Sequence, residues 1–189
     1  LEQGMVAVGY VAAGGFYVAR VWWMLRWLGH RQAAVLDGGW QAWLAAKLPV
    51  SAQLPSITAG DFNGAAHATT VDADGVLSQI GKAGELLIDA RSADRFRGEN
   101  ETLDPVAGHI PGARNRFFKH NLTADGRFKS TVELHREYSE LLGATAPTRV
   151  VHQCGSGVTA CHNLLAMEMA GLCGSKLYPG SWSEWCSDP

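Results

Sequence analysis

Val150-Val151-His152-Gln153-Cys154-Gly155-Ser156-Gly157-Val158-Thr159-Ala160-Cys161 is the stretch that decides how this chain reads. A β-branched run ends at a cysteine, a Gly-Ser-Gly loop follows, and a helix-like segment begins. That order places the Cys154 thiol at the carboxyl end of a strand, with a helix amino terminus pointing at the same spot and stabilising negative charge there. Gly155 and Gly157 carry no side chains, so the loop amides can turn inward around the sulfur, and Ser156 and Thr159 add hydroxyl donors. Such surroundings favour the thiolate, the form that attacks. The competing reading is a buried, inert cysteine, and the strand-loop-helix context weighs against it.

Composition bounds the rest. A length of 189 residues allows one large domain or two small ones. An apolar share of 47% beside 18% charged residues belongs to a globular chain. A net charge of -2 leaves no electrostatic footprint for nucleic acid or an anionic membrane surface. The richest apolar run, residues 18–28, is cut by Arg20 and Arg26 and reads as a buried helix instead of a membrane span. Cysteines stand at 154, 161, 173 and 186 with no C-x-x-C pair, so neither a metal site nor a cofactor is expected. Cys161, Cys173 and Cys186 read as structural. The start, Leu1-Glu2-Gln3-Gly4-Met5, lacks the charged and apolar regions of a secretory signal. Four cysteines without such a signal suit a reducing compartment, and the cytoplasm is the expected location.

In chain order, the sequence predicts a short strand within residues 5–11, a turn at Gly14-Gly15 and a helix over 16–28, stopped by Gly29-His30. A strand at 33–36 follows, then a turn at Asp37-Gly38-Gly39 and a helix that carries Trp40 and Trp43 on one face and ends at Pro49. Residues 51–69 have linker composition, with Ile57 and Phe62 as anchors onto a domain. Next come a helix over 71–80, a buried strand Leu86-Leu87-Ile88-Asp89, and a short polar helix or turn at 92–98. An acidic surface loop at 99–107 and a helix over 132–142, closed by Gly143, lead to the strand at 149–151.

The two ends of the chain repeat each other. Gly29 and Gly171, Gly38 and Gly180, Trp40 and Trp182, and Trp43 and Trp185 all differ by 142. The same offset carries Gly15 onto Gly157 and Ala19 onto Cys161. Helix, glycine stop, short strand, glycine turn and W-x-x-W therefore recur at fixed spacing, which reads as duplication of a domain's last third. By that offset the counterpart of Cys154 is Ala12, so only one active site is expected. The expected organisation is the end of a non-catalytic repeat over 1–50, a linker over 51–69 and a catalytic domain over 70–189.

Residues 154–161 resemble the active-site loop of the two-domain rhodanese-type sulfurtransferases, the 3-mercaptopyruvate and thiosulfate sulfurtransferase family. Gly108-His109-Ile110-Pro111-Gly112-Ala113 resembles their mid-domain signature, and Tyr178-Pro179-Gly180-Ser181-Trp182-Ser183-Glu184-Trp185 their carboxyl-terminal one. The resemblance implies an α/β fold of tandem rhodanese-like domains, each a parallel sheet flanked by helices, the first one incomplete in this chain. It implies that Cys154 takes a sulfane sulfur from a small-molecule donor as a persulfide. The sulfur then passes to a thiophilic acceptor such as cyanide or a thiol, thioredoxin among them. The Cys-Gly-Ser-Gly loop is similar to the 3-mercaptopyruvate branch, whereas the thiosulfate branch usually carries Arg and Lys there, which suits a dianion. Arg95, in a segment with Asp89-Ala90-Arg91 and Arg95-Phe96-Arg97-Gly98, matches the arginine that holds the substrate carboxylate. The implied site is then Cys154, Ser156 and Thr159 as catalytic residues, with Arg95, Gly155, Gly157 and Val158 binding substrate. The family typically has a second substrate arginine just before the Gly-His-Ile-Pro-Gly signature. Residues 99–107 contain none, which leaves Arg114 and Arg116 as the nearest substitutes.

Three other functions are weaker on chemical grounds. A phosphatase using a similar cradle needs an arginine six residues after the cysteine to grip phosphoryl oxygens, and here that residue is Ala160. A non-enzymatic interaction module fits the repeat without a thiol but not the one with Cys154. A cysteine protease needs a base, and the one histidine near the thiol, His152, two residues before it on a strand, faces awkwardly for that role.

Overall fold

Parallel strands alternating with helices build both halves of the molecule. The computed structural model describes residues 1–2, 4–12 and 16–187, so the predicted Gly14-Gly15 turn and the Gly15 member of the repeat lie outside the described residues. The first half runs β1 (Ala7–Gly9), α1 (Val18–Trp27), β2 (Ala33–Val35) and α2 (Gly39–Ala45), with β1 and β2 paired in parallel. The second half runs α3 (Ala73–Gln79), β3 (Leu86–Asp89), α4 (Ala93–Phe96), β4 (Arg114–Asn115), a 3-10 turn (Phe118–Asn121) and α5 (Thr131–Leu142). It closes with β5 (Val150–Gln153), α6 (Ala160–Met169), β6 (Lys176–Leu177) and α7 (Ser181–Trp185). Its sheet is wholly parallel in the order β4-β3-β5-β6.

That order fixes where a site can form. From β3 the chain moves outward to β4, and from β5 it moves outward the other way to β6, so the order reverses between β3 and β5. Crossover loops diverge at such a point and leave a crevice beyond the carboxyl ends of the strands, here beyond Asp89 and Gln153. All four residues of β5 are buried, because helices cover both faces. One face packs Ile88 and Val150 against Leu134, Tyr138 and Leu142 of α5, with Met167 of α6 in the same cluster. The other packs Val151 against Val76, Ile110, Tyr178 and Trp182. Helix α5 begins at a capping box, in which Ser130 and Glu133 satisfy each other's backbone amides.

The two copies of the repeat match element for element, β1-α1-β2-α2 against β5-α6-β6-α7. Their helices pack together: Ala19, Trp22 and Trp23 of α1 share one core with Cys161, Leu164 and Leu165 of α6. The glycine stops agree as well, with Gly29 at φ 93 and Gly171 at φ 74, where a side chain would be strained. One correction emerges. Trp40 N donates to Val11 O and Trp182 N to Cys154 O, both at 3.0 Å. Leu36 N donates to Gly9 O and Tyr178 N to His152 O, both at 2.9 Å. Along the strand the offset is therefore 143, and the counterpart of Cys154 is Val11, not Ala12. The first copy's strand-to-helix loop is one residue longer, which the glycines and tryptophans beyond it do not register. Neither residue is a thiol, so the expectation of one reactive sulfur stands on the corrected alignment too.

Two smaller expectations change. Phe62 does anchor the linker, edge-on to His30 with ring centroids 5.3 Å apart, but Ile57 is 90% exposed and anchors nothing. Helix α2 ends at Ala45, well before Pro49, because Lys47 turns to φ 53 and Trp43 Nε1 donates to Pro49 O at 3.0 Å. Among the described residues no helix is long and apolar enough to cross a membrane.

Candidate active site

Cys154 follows β5 directly and is 1% exposed, at the floor of an open cavity of about 630 Å³ in the crevice between β3 and β5. The loop after it is clamped by the first turn of α7. Ser181 Oγ accepts from Cys154 N at 3.1 Å and donates to Tyr178 O at 2.9 Å. Trp182 N binds Cys154 O, and Ser183 N binds Gly155 O at 2.9 Å. Ser181 is held at φ 55, an uncommon conformation for a residue with a side chain, by these bonds on both sides. The Tyr-Pro-Gly-Ser-Trp run is thus the buttress of the cysteine loop.

With its carbonyls tied down, the loop leaves its amides open. Among the described residues no protein acceptor takes a hydrogen bond from the N–H groups of Gly155, Ser156, Gly157, Val158 or Thr159. Five consecutive unpaired donors ahead of the amino terminus of α6 form a cradle for an anion. Ser156 and Thr159 line the cavity with their hydroxyls unpaired among the described residues, and Gly155 and Val158 line it too. Gly157 lies behind the wall. At φ 72, with a Cβ that would overlap the Pro179 carbonyl oxygen, it lets the loop turn, and its own carbonyl accepts from Arg20 Nη1 at 3.1 Å.

Three separated motifs converge on Arg91. Its guanidinium donates to Asp89 Oδ2 at 2.7 Å through Nη2 and 3.1 Å through Nε, and Nη2 also reaches Gly108 O at 2.7 Å. It lies 4.9 Å from the ring centroid of Trp182, whose Nε1 donates to Val106 O at 2.9 Å. The end of β3, the Gly-His-Ile-Pro-Gly approach and α7 are joined by one buried cation.

Arg95 does line the cavity, with its guanidinium against Gly155. It is not a free cation. Nη2 donates to Glu101 Oε1 at 2.8 Å and Asp104 Oδ2 at 3.2 Å, and Nε to Glu101 Oε2 at 3.1 Å; among the described residues Nη1 has no acceptor. The loop expected as an acidic surface segment is folded in at these carboxylates: Glu101's side chain is 2% exposed. Burial pushes the Glu101 carboxyl up, but the amides of Leu103 and Asp104 and the Arg95 guanidinium more than offset it and hold it below the usual range. Arg114 and Arg116 do not reach the cavity. Arg114 Nη1 donates to Leu141 O at 2.6 Å, and Arg116 pairs with Glu137 at 2.6 Å over the ring of Tyr138. Arg91 also reaches the wall, paired as described, and a further cation there is Lys119, from the 3-10 turn, beside Phe16 and Phe117.

Cys161 and His152, the nucleophile and base nearest to Cys154 in the sequence, are disabled. Burial pushes the Cys161 thiol up to about 12, and its Sγ lies 3.4 Å from Gly157 O. His152 points away from Cys154, with Nε2 3.1 Å from Met167 Sδ. Burial lowers its pKa to about 3, so it is neutral and serves no protease chemistry. A pH dependence follows. Below its ordinary pKa of about 6.5, unfolded His152 takes a proton that the folded site refuses, so stability falls from about pH 6.5 down to about pH 3. Between pH 7 and 5 this residue should cost about 2 kcal/mol. Urea midpoints measured at both values should fall less for His152→Leu than for the parent; equal losses would contradict the assignment.

Comparison with known proteins identifies the family. Residues 72–188 match the model of the Rhodanese-like domain. The chain is 48% identical over its whole length to a "Probable 3-mercaptopyruvate sulfurtransferase" of Pseudomonas aeruginosa, covering 67% of that protein. It is 35% identical to the "Thiosulfate sulfurtransferase" of Gallus gallus over 91% of its own length and 60% of the relative. Among solved structures, the "3-mercaptopyruvate sulfurtransferase from Leishmania major" superposes with a TM-score of 0.80 at 31% identity, over 98% of this chain and 52% of that one. The chain thus spans about half to two thirds of the length of these proteins.

Proposed function

Because this chain belongs to the rhodanese-like sulfurtransferase family, we propose that it moves a sulfane sulfur from 3-mercaptopyruvate through a Cys154 persulfide to a thiophilic acceptor. The observation that carries this reading is the cradle itself: a lone cavity thiol beneath a run of unpaired amides and two unpaired hydroxyls. The Cys154 thiolate attacks the donor's sulfur. An S–S bond forms as the C–S bond breaks, and the electron pair leaves on carbon as the enolate of pyruvate, which takes a proton. A thiol or cyanide then attacks the outer sulfur and releases the Cys154 thiolate. The loop amides, Ser156 and Thr159 stabilise the persulfide and the developing negative charge. Arg95 offers its free Nη1 at the Gly155 edge to orient the donor, Gly155 and Val158 shape the wall, and Gly157 lets the amides face inward.

In this reading, residues 1–50 are the end of a non-catalytic repeat, 51–69 a linker and 70–189 the catalytic domain. The acceptor is a small thiol, cyanide or thioredoxin, and four free thiols support a reducing compartment such as the cytoplasm. Donor preference tests the assignment. Ser156 is exposed at the mouth of the loop, so Ser156→Lys adds a cation beside the cradle and favours a dianion. The ratio of kcat/KM for thiosulfate to that for 3-mercaptopyruvate should rise roughly tenfold in the variant. An unchanged ratio would count against the loop as the place where donor charge is read.

A further inference from the structure

We propose that Lys119 is the residue that anchors the donor's remote carboxylate, and that it gives this site its preference for a sulfur donor of the 2-oxo acid class. The inference rests on the sulfurtransfer reading above and deepens it. Five ionised side chains surround the Arg95 side of the cavity. Arg91 pairs with Asp89 and Glu101, and Arg95 pairs with Glu101 and Asp104. Two guanidiniums against three carboxylates leave no positive charge over for an incoming anion. That wall offers an anion the single hydrogen bond Arg95 Nη1 can donate and no net positive charge to anchor it.

Lys119 stands on the same cavity as Cys154 and differs in each respect. It is exposed, and among the described residues it pairs with no carboxylate. Its Nζ lies 5.5 Å from the ring centroid of Phe16 and 5.9 Å from that of Phe117, aromatic surfaces that hold an ammonium without neutralising it. The turn beneath it is rigid. Phe118 N donates to Ala90 O at 3.1 Å, Asn121 Nδ2 donates to Asn163 Oδ1 at 2.8 Å, and Tyr138 OH donates to Asn121 Oδ1 at 3.0 Å. An ammonium on a fixed turn, lining the same cavity as an amide cradle, suits a donor with its anionic end separated by carbon atoms from the sulfur it gives up. Thiosulfate carries its anionic sulfonate bonded directly to the transferred sulfur, so that group stays at the cradle and does not extend away from it on a carbon chain.

Lys119→Ala should raise KM for 3-mercaptopyruvate roughly tenfold with kcat within about twofold, since the anchored group does not change during reaction. KM for thiosulfate should move less than about threefold, Lys119→Arg should restore most of the loss, and Lys82→Ala, which removes a charge elsewhere on the surface, should change nothing. An unchanged KM for 3-mercaptopyruvate, or equal rises for both donors, would overturn the proposal. Titration with pyruvate, followed by NMR, keeps this test separate from the sulfurtransfer reading because it needs no turnover. Binding weakened at least roughly fivefold by Lys119→Ala supports the anchor even in a parent that transfers no sulfur, and equal binding contradicts it.

Discussion

Cys154→Ser is expected to lower sulfur transfer from 3-mercaptopyruvate by about a thousandfold or more, to the level of the uncatalysed reaction. The size of the effect follows from chemistry, not from packing. A serine hydroxyl is a far weaker nucleophile than a thiolate and forms no persulfide, and among the described residues no other cysteine lines the cavity, Cys161 being buried with its proton held. The fold should survive. The bonds that fix the loop run through the backbone of residue 154, with Ser181 Oγ and Trp182 N as partners, and serine keeps both. Urea unfolding should place the variant within about 2 kcal/mol of the parent, the scale of one added buried hydroxyl. Residual turnover of even a tenth would contradict a covalent role for this sulfur.

The second large effect is on stability. Arg91→Ala should destabilise the protein by about 3–5 kcal/mol, because it leaves the carboxylate of Asp89, 0% exposed, buried without its cation. Against a total of about 5–15 kcal/mol for a domain, that is a large share. The loss spreads to the site, since Arg91 also holds the Gly108 carbonyl and the face of Trp182, and Trp182 in turn holds the carbonyl of Cys154. Removing both charges, as in Asp89→Leu with Arg91→Met, should recover at least half of the stability, because apolar residues of like volume replace buried ion pairs at little cost. If Arg91→Ala unfolds at the parent's urea concentration with an unchanged slope, the hub reading is wrong.

What the sequence disclosed and what it hid divide along a physical line. The cysteine loop was legible because all its parts are contiguous: strand, thiol, glycines and helix start lie within residues 150–161. The parallel α/β architecture was legible because short buried strands alternate with helices, and the repeat because glycine stops and W-x-x-W keep their spacing. The counterpart of Cys154 was misplaced by one residue, since an offset measured on a helix says nothing about the length of the loop before it. Arg95 was found by position, but its neutralisation by Glu101 and Asp104 depends on how residues 99–107 fold back, and no periodicity records that. Arg91 looked like any arginine after a strand. Lys119 sits on a 3-10 turn too short to leave a pattern, and only the tertiary fold brings it to the cavity. In each missed case the deciding contact joins segments that are distant in sequence or irregular in conformation.

The most direct test of the central claim is the mass of the intact protein after brief exposure to 3-mercaptopyruvate without an acceptor, with peptide mapping of the modified residue. A gain of one sulfur atom, confined to the peptide carrying Cys154 and lost on adding cyanide, is the predicted result. An unmodified Cys154 in protein that turns the donor over, or the extra sulfur on Cys161, Cys173 or Cys186, would contradict it.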